Sequence, residues 1–242
     1  MKLMLNSITK LLFAVVFLSS IATKAQVYTY PIRPSMPEWR ALKTHTAMLK
    51  ATELPQQYLQ ANTADLLESC LTYPLLFDFM AFNNPLNGLK RVIAQSNVLS
   101  VFMKRPNCGE ALLNYYKKMN IESINLVKDQ IAQGRQSFLI TAVELLLADS
   151  MALTTLSAIK RNELLSVAIK NITLKEKNGH IFSNISLFSS LFVASNILNQ
   201  SGNKEWEAFY EENKSLSTFL NNYAITKEQF LNLKTFMVQL KK

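Results

Sequence analysis

Asp78 sits between Phe77 and Phe79, four residues after Pro74, and is the only acidic side chain set inside a dense aromatic cluster. Burial raises a carboxyl pKa, so a desolvated Asp78 can act as a general acid or base in a hydrolase or lyase. The competing reading is structural, with Asp78 accepting hydrogen bonds from nearby backbone or from Asn83 or Asn84. Glu68 and Glu144 invite the same comparison. Glu68 falls on the wet side of its helix, and Glu144, inside the apolar run FLITAVELLLA, is expected to pair with a lysine. Cys70 and Cys108 are the only cysteines; Cys70 lies on an apolar stripe, which favours a buried thiol, although an exported setting would allow the two to pair. His45 and His180 are far apart, which argues against a His-based metal site. The chain contains no Gly-rich phosphate loop, nucleophile elbow, zinc spacing or dinucleotide fingerprint. No catalytic residue, cofactor or metal is therefore assigned.

The stretch Asn62–Asn84, NTADLLESCLTYPLLFDFMAFNN, positions the most interesting of these groups. Asn62 can cap a helix with Asp65 three residues on, and Leu66, Leu67, Cys70 and Leu71 follow on one face. Pro74 lacks an amide hydrogen and biases Tyr73 away from the helical basin, so two short helices are expected to meet at Tyr73. Upstream, the Pro-broken, aromatic YTYPIRP suits an extended arm over 26–34. Ser35, Pro37 and Glu38 then predict one helix carrying Trp39, Leu42, Thr46 and Leu49, with Trp39 in the core. Downstream, Asn84 with Pro85, Asn107 with Glu110, and Thr226 with Gln229 predict further helix starts, while Gly134 and Gly179 predict stops. The small serines of ISLFSSLFVASNILNQ suit a central helix packed closely on two sides. Lys175 and Lys177 are expected at a helix C-terminus, where cations favour the helix dipole.

A chain of 242 residues with 49% hydrophobic content but only 5 Gly and 7 Pro can bury a full core and lacks the turn density of a β-sandwich or barrel. The expectation is an all-α domain of roughly ten helices, as an antiparallel bundle or a HEAT/armadillo-like stack of helical pairs. Lys2 and Lys10, the apolar run Leu11–Ile21, and the small residues Thr23 and Ala25 predict a secretory signal over 1–25, cut after Ala25, with 26–242 as one domain. An uncleaved anchor is disfavoured, because roughly 11 apolar residues fall short of the ~20 that cross a bilayer. Without Lys2, Lys10 and Lys24 the formal charge falls from +9 to about +6. That balance carries no nucleic-acid motif or aromatic-interleaved basic stripe, so specific nucleic-acid binding is not expected, whereas weak attraction to an anionic surface is open. Four glycosylation sequons, beginning at Asn171, Asn184, Asn199 and Asn213, lie largely within helices and read as chance.

The segments PEWRAL at Pro37–Leu42 and LLESCLTYPLLFDFMAFNN at Leu66–Asn84, followed by Gly88, resemble uncharacterised exported helical proteins of Bacteroidota. The resemblance covers mainly Pro37 to Lys118 and implies a periplasmic, envelope-associated or secreted protein; it brings no catalytic residues. The combined expectation is a non-enzymatic interaction or scaffold module for an envelope or secreted protein or peptide. Its binding residues are expected among Trp39, Tyr73, Phe77, Asp78 and Phe82, and the alternative is the extracytoplasmic hydrolase or lyase using Asp78.

Overall fold

A computed structural model describes residues 27–240; the expected leader and its cleavage after Ala25 lie outside the described residues. Local side-chain chemistry sets many helix starts. Asn62 Oδ1 accepts the Asp65 amide at 3.0 Å, and its Nδ2 donates to the Asp65 carboxylate at 2.7 Å, opening α4 (Thr63–Leu71). Asn84 accepts the Asn87 amide at 3.1 Å and Pro85 takes the first position of α5 (Pro85–Gln95). Thr226 and Gln229 exchange reciprocal bonds of 3.2 and 2.9 Å at the start of α14 (Lys227–Leu240). Each such cap satisfies donors that the helix itself leaves open, and is worth about 1 kcal/mol.

Other expected boundaries move. The single helix after Ser35 divides into α1 (Pro37–Ala41) and α2 (His45–Ala51), because Thr44 accepts the Ala47 amide at 3.1 Å and restarts the helix; Ser35 caps nothing. Asn107 makes no cap for α7 (Cys108–Lys118), since its Oδ1 is engaged by the Thr63 hydroxyl at 2.7 Å. Gly134 lies within α8 (Gln130–Ala148), which Asp129 opens, so it does not stop a helix. α10 (Ala158–Lys177) ends before Gly179, but the left-handed glycine is Gly202, with φ of 65°, after α11 (Asn184–Asn199). The remaining helices are α3 (Gln56–Leu59), α6 (Asn97–Met103), α9 (Ser150–Leu153), α12 (Lys204–Glu212) and α13 (Ser217–Asn222). Together with three short 3₁₀ turns, they exceed the roughly ten expected and make the described residues all-α.

The core is organised on α8 and α11. α11 packs on α8 and α10, and α12, α13 and α14 close around it. Its serines Ser186, Ser189, Ser190 and Ser195 are all buried, consistent with a helix enclosed on more than one side. α8 is buried continuously from Ile140 to Ala148 and joins this half to the first, where it meets α5, α7 and the 3₁₀ turn Leu76–Ala81. Two glycines mark close approaches: a Cβ on Gly109 would lie 2.3 Å from the Ala152 carbonyl oxygen, and one on Gly88 would lie 2.5 Å from that of Phe79.

The extended arm is present and docks. Tyr30 is buried, its ring meeting Tyr28 edge-on at 5.0 Å and Tyr73 at 5.9 Å, while its hydroxyl donates to the Ser69 carbonyl at 3.2 Å. The Tyr28 amide donates to the Ser69 hydroxyl at 3.3 Å. No described helix is long and apolar enough to cross a membrane.

Candidate functional site

The most concentrated polar chemistry surrounds Glu144, whose position in an apolar run places it on the fully buried half of α8. Oε1 accepts from the Tyr116 hydroxyl at 2.5 Å and from the Ser190 hydroxyl at 2.7 Å. Oε2 accepts from Lys175 Nζ at 2.5 Å and from the Ser189 hydroxyl. Lys175 also donates to the Ser186 carbonyl at 2.7 Å. α7, α10 and α11 thus each send side chains to one carboxylate carried by α8. Lys175, expected only to complement a helix dipole, is instead its buried counter-ion, both side chains being 0% exposed.

Sealed burial shapes the titration of these groups. Desolvation lowers the Lys175 pKa, opposed by the Glu144 charge and hydrogen bond. Desolvation and then the Glu144 charge push the Tyr116 phenol well above its ordinary value, while Asn171 and Ser190 pull the other way. The same two causes raise Tyr223, whose hydroxyl donates to the Ile185 carbonyl at 3.0 Å. With four donors on its two oxygens and no solvent contact, the Glu144 carboxylate holds four helices in register. Neither Tyr116 nor Lys175 is primed as a nucleophile, since the first is held protonated and the second is engaged.

The residues singled out from sequence do not converge on such a centre. Asp78 is 41% exposed at its side chain, and a His45 ring nitrogen lies 3.2 Å from its carboxylate, in place of the backbone, Asn83 or Asn84 partners expected. The reason is local geometry. In the 3₁₀ turn Leu76–Ala81, residues three apart eclipse, so Leu76 and Phe79 point inward and Asp78 turns outward. Tyr73 is buried, Trp39 is only half-buried, and Phe82 lies under the Arg91 guanidinium at 5.9 Å. Phe77 packs on Phe138 of α8, with centroids 6.3 Å apart. Cys70 and Cys108 are both buried and free, so the disulfide is not formed. Asn171 is only 5% exposed, which leaves its sequon inaccessible. Among the described residues, no group of three or more His, Cys, Asp or Glu could hold a metal ion.

Two clefts flank the end of α7. The first, of about 410 Å³, lies between α4, α7, α8 and the 3₁₀ turn Glu122–Leu126, and its walls include Glu68, Tyr115, Gln136 and Leu139. Desolvation and then the Glu68 charge raise the Tyr115 pKa. The second, of about 490 Å³, lies between the end of α7 and α10, with Tyr116 and Asn171 in its lining. Lys118, Met119 and Asn120 form a wall shared by both, and Asp78 lines neither. Sequence reasoning missed these clefts because they join side chains from helices far apart in the chain. The signals for the Glu144 cluster were present, in one acid within an apolar run and adjacent serines within another.

Comparison of the chain with known protein families, with curated proteins and with solved structures finds no match.

Proposed function

We propose that this protein is a non-enzymatic helical interaction module, exported to the cell envelope or beyond, which receives an apolar segment of a partner protein or peptide. The observation that carries the reading is the 410 Å³ cleft between α4, α7 and α8, a size within the range of ligand-holding clefts. The 3₁₀ turn and α8, which supply part of its wall, also carry Leu126 at 81% and Ile131 at 84% exposure. Large apolar side chains left this open on adjoining elements suit a partner surface. The competing hydrolytic reading has no comparable support, because Asp78 lies on the surface beside His45.

The test is crosslinking in native cells followed by purification of the tagged protein, in parallel with a Leu126→Asp, Ile131→Asp double variant. A partner recovered at near-equal amounts with the native chain and lost with the variant supports the reading. Recovery of both proteins alone, or equal recovery of the partner by both, overturns it.

A further inference from the structure

The second cleft has a floor and a charge balance that the partner-segment reading does not use. Asn171 is buried, yet it lines the cleft, and its side-chain amide makes a hydrogen-bonding contact with the Tyr116 hydroxyl. An amide offers two donors and one acceptor oxygen, so its contact with Tyr116 leaves hydrogen-bonding capacity that a molecule in the cleft can use. The network beneath fixes this floor, because Tyr116 is tied to Glu144. On the rim, Lys117 is engaged by Glu163, but Lys118 and Lys170 make no ion pair among the described residues. Glu122 supplies one negative charge against those two, leaving the mouth positive. Val167 and Leu174 of α10 add apolar wall.

We propose that this cleft binds an organic carboxylate with an apolar body, its carboxylate between Lys118 and Lys170, oriented by the Asn171 amide, and its apolar part on Val167 and Leu174. A desolvated carboxylate needs charged donors, and an apolar stem needs a wall; the cleft offers both within 490 Å³. The same chemistry is presented by a small amphiphilic acid and by the free C-terminus of a peptide. This site shares the wall Lys118, Met119 and Asn120 with the partner groove, but its binding does not require that groove to be occupied.

The experiment is titration calorimetry of the chain at low salt with octanoate, using octanol as the uncharged control. A second arm uses a leucine-terminated tetrapeptide with a free carboxylate against its C-terminal amide. Lys170→Gln decides the location, since Lys170 lines this cleft and not the other, and Lys118→Gln accompanies it. The expected result is saturable binding of a carboxylate probe, weakened about ten-fold by Lys170→Gln, as loss of one charge-assisted hydrogen bond implies. Binding of octanoate alone identifies a small amphiphile, and binding of the tetrapeptide alone identifies a chain terminus; either supports the site. Absence of saturable binding in both arms, uncharged controls that bind equally, or affinity unchanged by Lys170→Gln overturns it.

Discussion

Lys175 Nζ stands 2.5 Å from Oε2 of Glu144, with both side chains removed from water and on different helices of the core. Removing one member leaves the other charged and unpaired in a low-dielectric interior, which typically costs 3–5 kcal/mol. Lys175→Met is therefore expected to lower stability by about 3–5 kcal/mol, read from urea unfolding. Adding Glu144→Leu should recover part of that loss, since paired replacement by apolar residues is often tolerated. A single-variant cost below about 1 kcal/mol would mean that water reaches the pair.

Stability should fall at alkaline pH. Burial raises the thiols of Cys70 and Cys108 above their ordinary 9.0, and the phenols of Tyr30, Tyr73, Tyr116 and Tyr223 above their ordinary 10.0. For each, the folded state keeps a proton that the unfolded chain releases. The contribution is thus complete below the unfolded pKa and is lost as pH rises through the folded one. Lys175, lowered from 10.5, has the opposite sign and makes stability rise with pH just below that value, but it is one group against several. Melting temperature measured from pH 7 to 10.5 should decline beyond about pH 9, and more steeply beyond pH 10.

Two glycine-to-alanine changes should act in opposite directions. Gly109→Ala forces a methyl group onto the Ala152 carbonyl, and a loss of about 1–3 kcal/mol is expected. Gly134→Ala meets nothing within 4 Å in the interior of α8 and should raise stability by up to about 1 kcal/mol. Thermal unfolding of both variants checks the contrast, and a neutral Gly109→Ala would remove the close approach of α7 to α9.

Both cysteines should be silent toward a thiol reagent in the native protein and reactive after denaturation without reductant, as buried free thiols require. Two thiols missing from the denatured count would reveal a disulfide.

Asp78→Asn should leave the fold intact and change stability by no more than about 0.5 kcal/mol, because its pair with His45 is exposed. A larger shift in the urea midpoint would contradict the surface position.

The fold class was legible from composition, and several helix starts were legible because a cap is a local event: Asn62, Asn84 and Thr226 each bond within three residues. The place of α11 was legible too, from its serines. Asp78 was misread because the apolar pattern after Pro74 is compatible with both 3.6 and three residues per turn, and only the latter turns its carboxylate outward. Lys175 was misread for a different reason. Its position near a helix end gave a sufficient surface explanation, while its partner lies 31 residues away on another helix. Asn107 shows the same limit on a smaller scale, its capping oxygen diverted by Thr63 across 44 residues.

The docked arm makes the fold sensitive to where the chain is cut. Tyr28 and Tyr30 occupy a seat formed by Tyr58, Ser69 and Tyr73, so the outermost described residues belong to the body of the protein. A peptidase acting before Val27 leaves that seat filled. One acting past Tyr30 removes the ring that closes it and exposes the aromatic pocket beneath. Loss of the segment through Tyr30 would therefore yield a destabilised product, with the core face of Ser69 and Tyr73 uncovered.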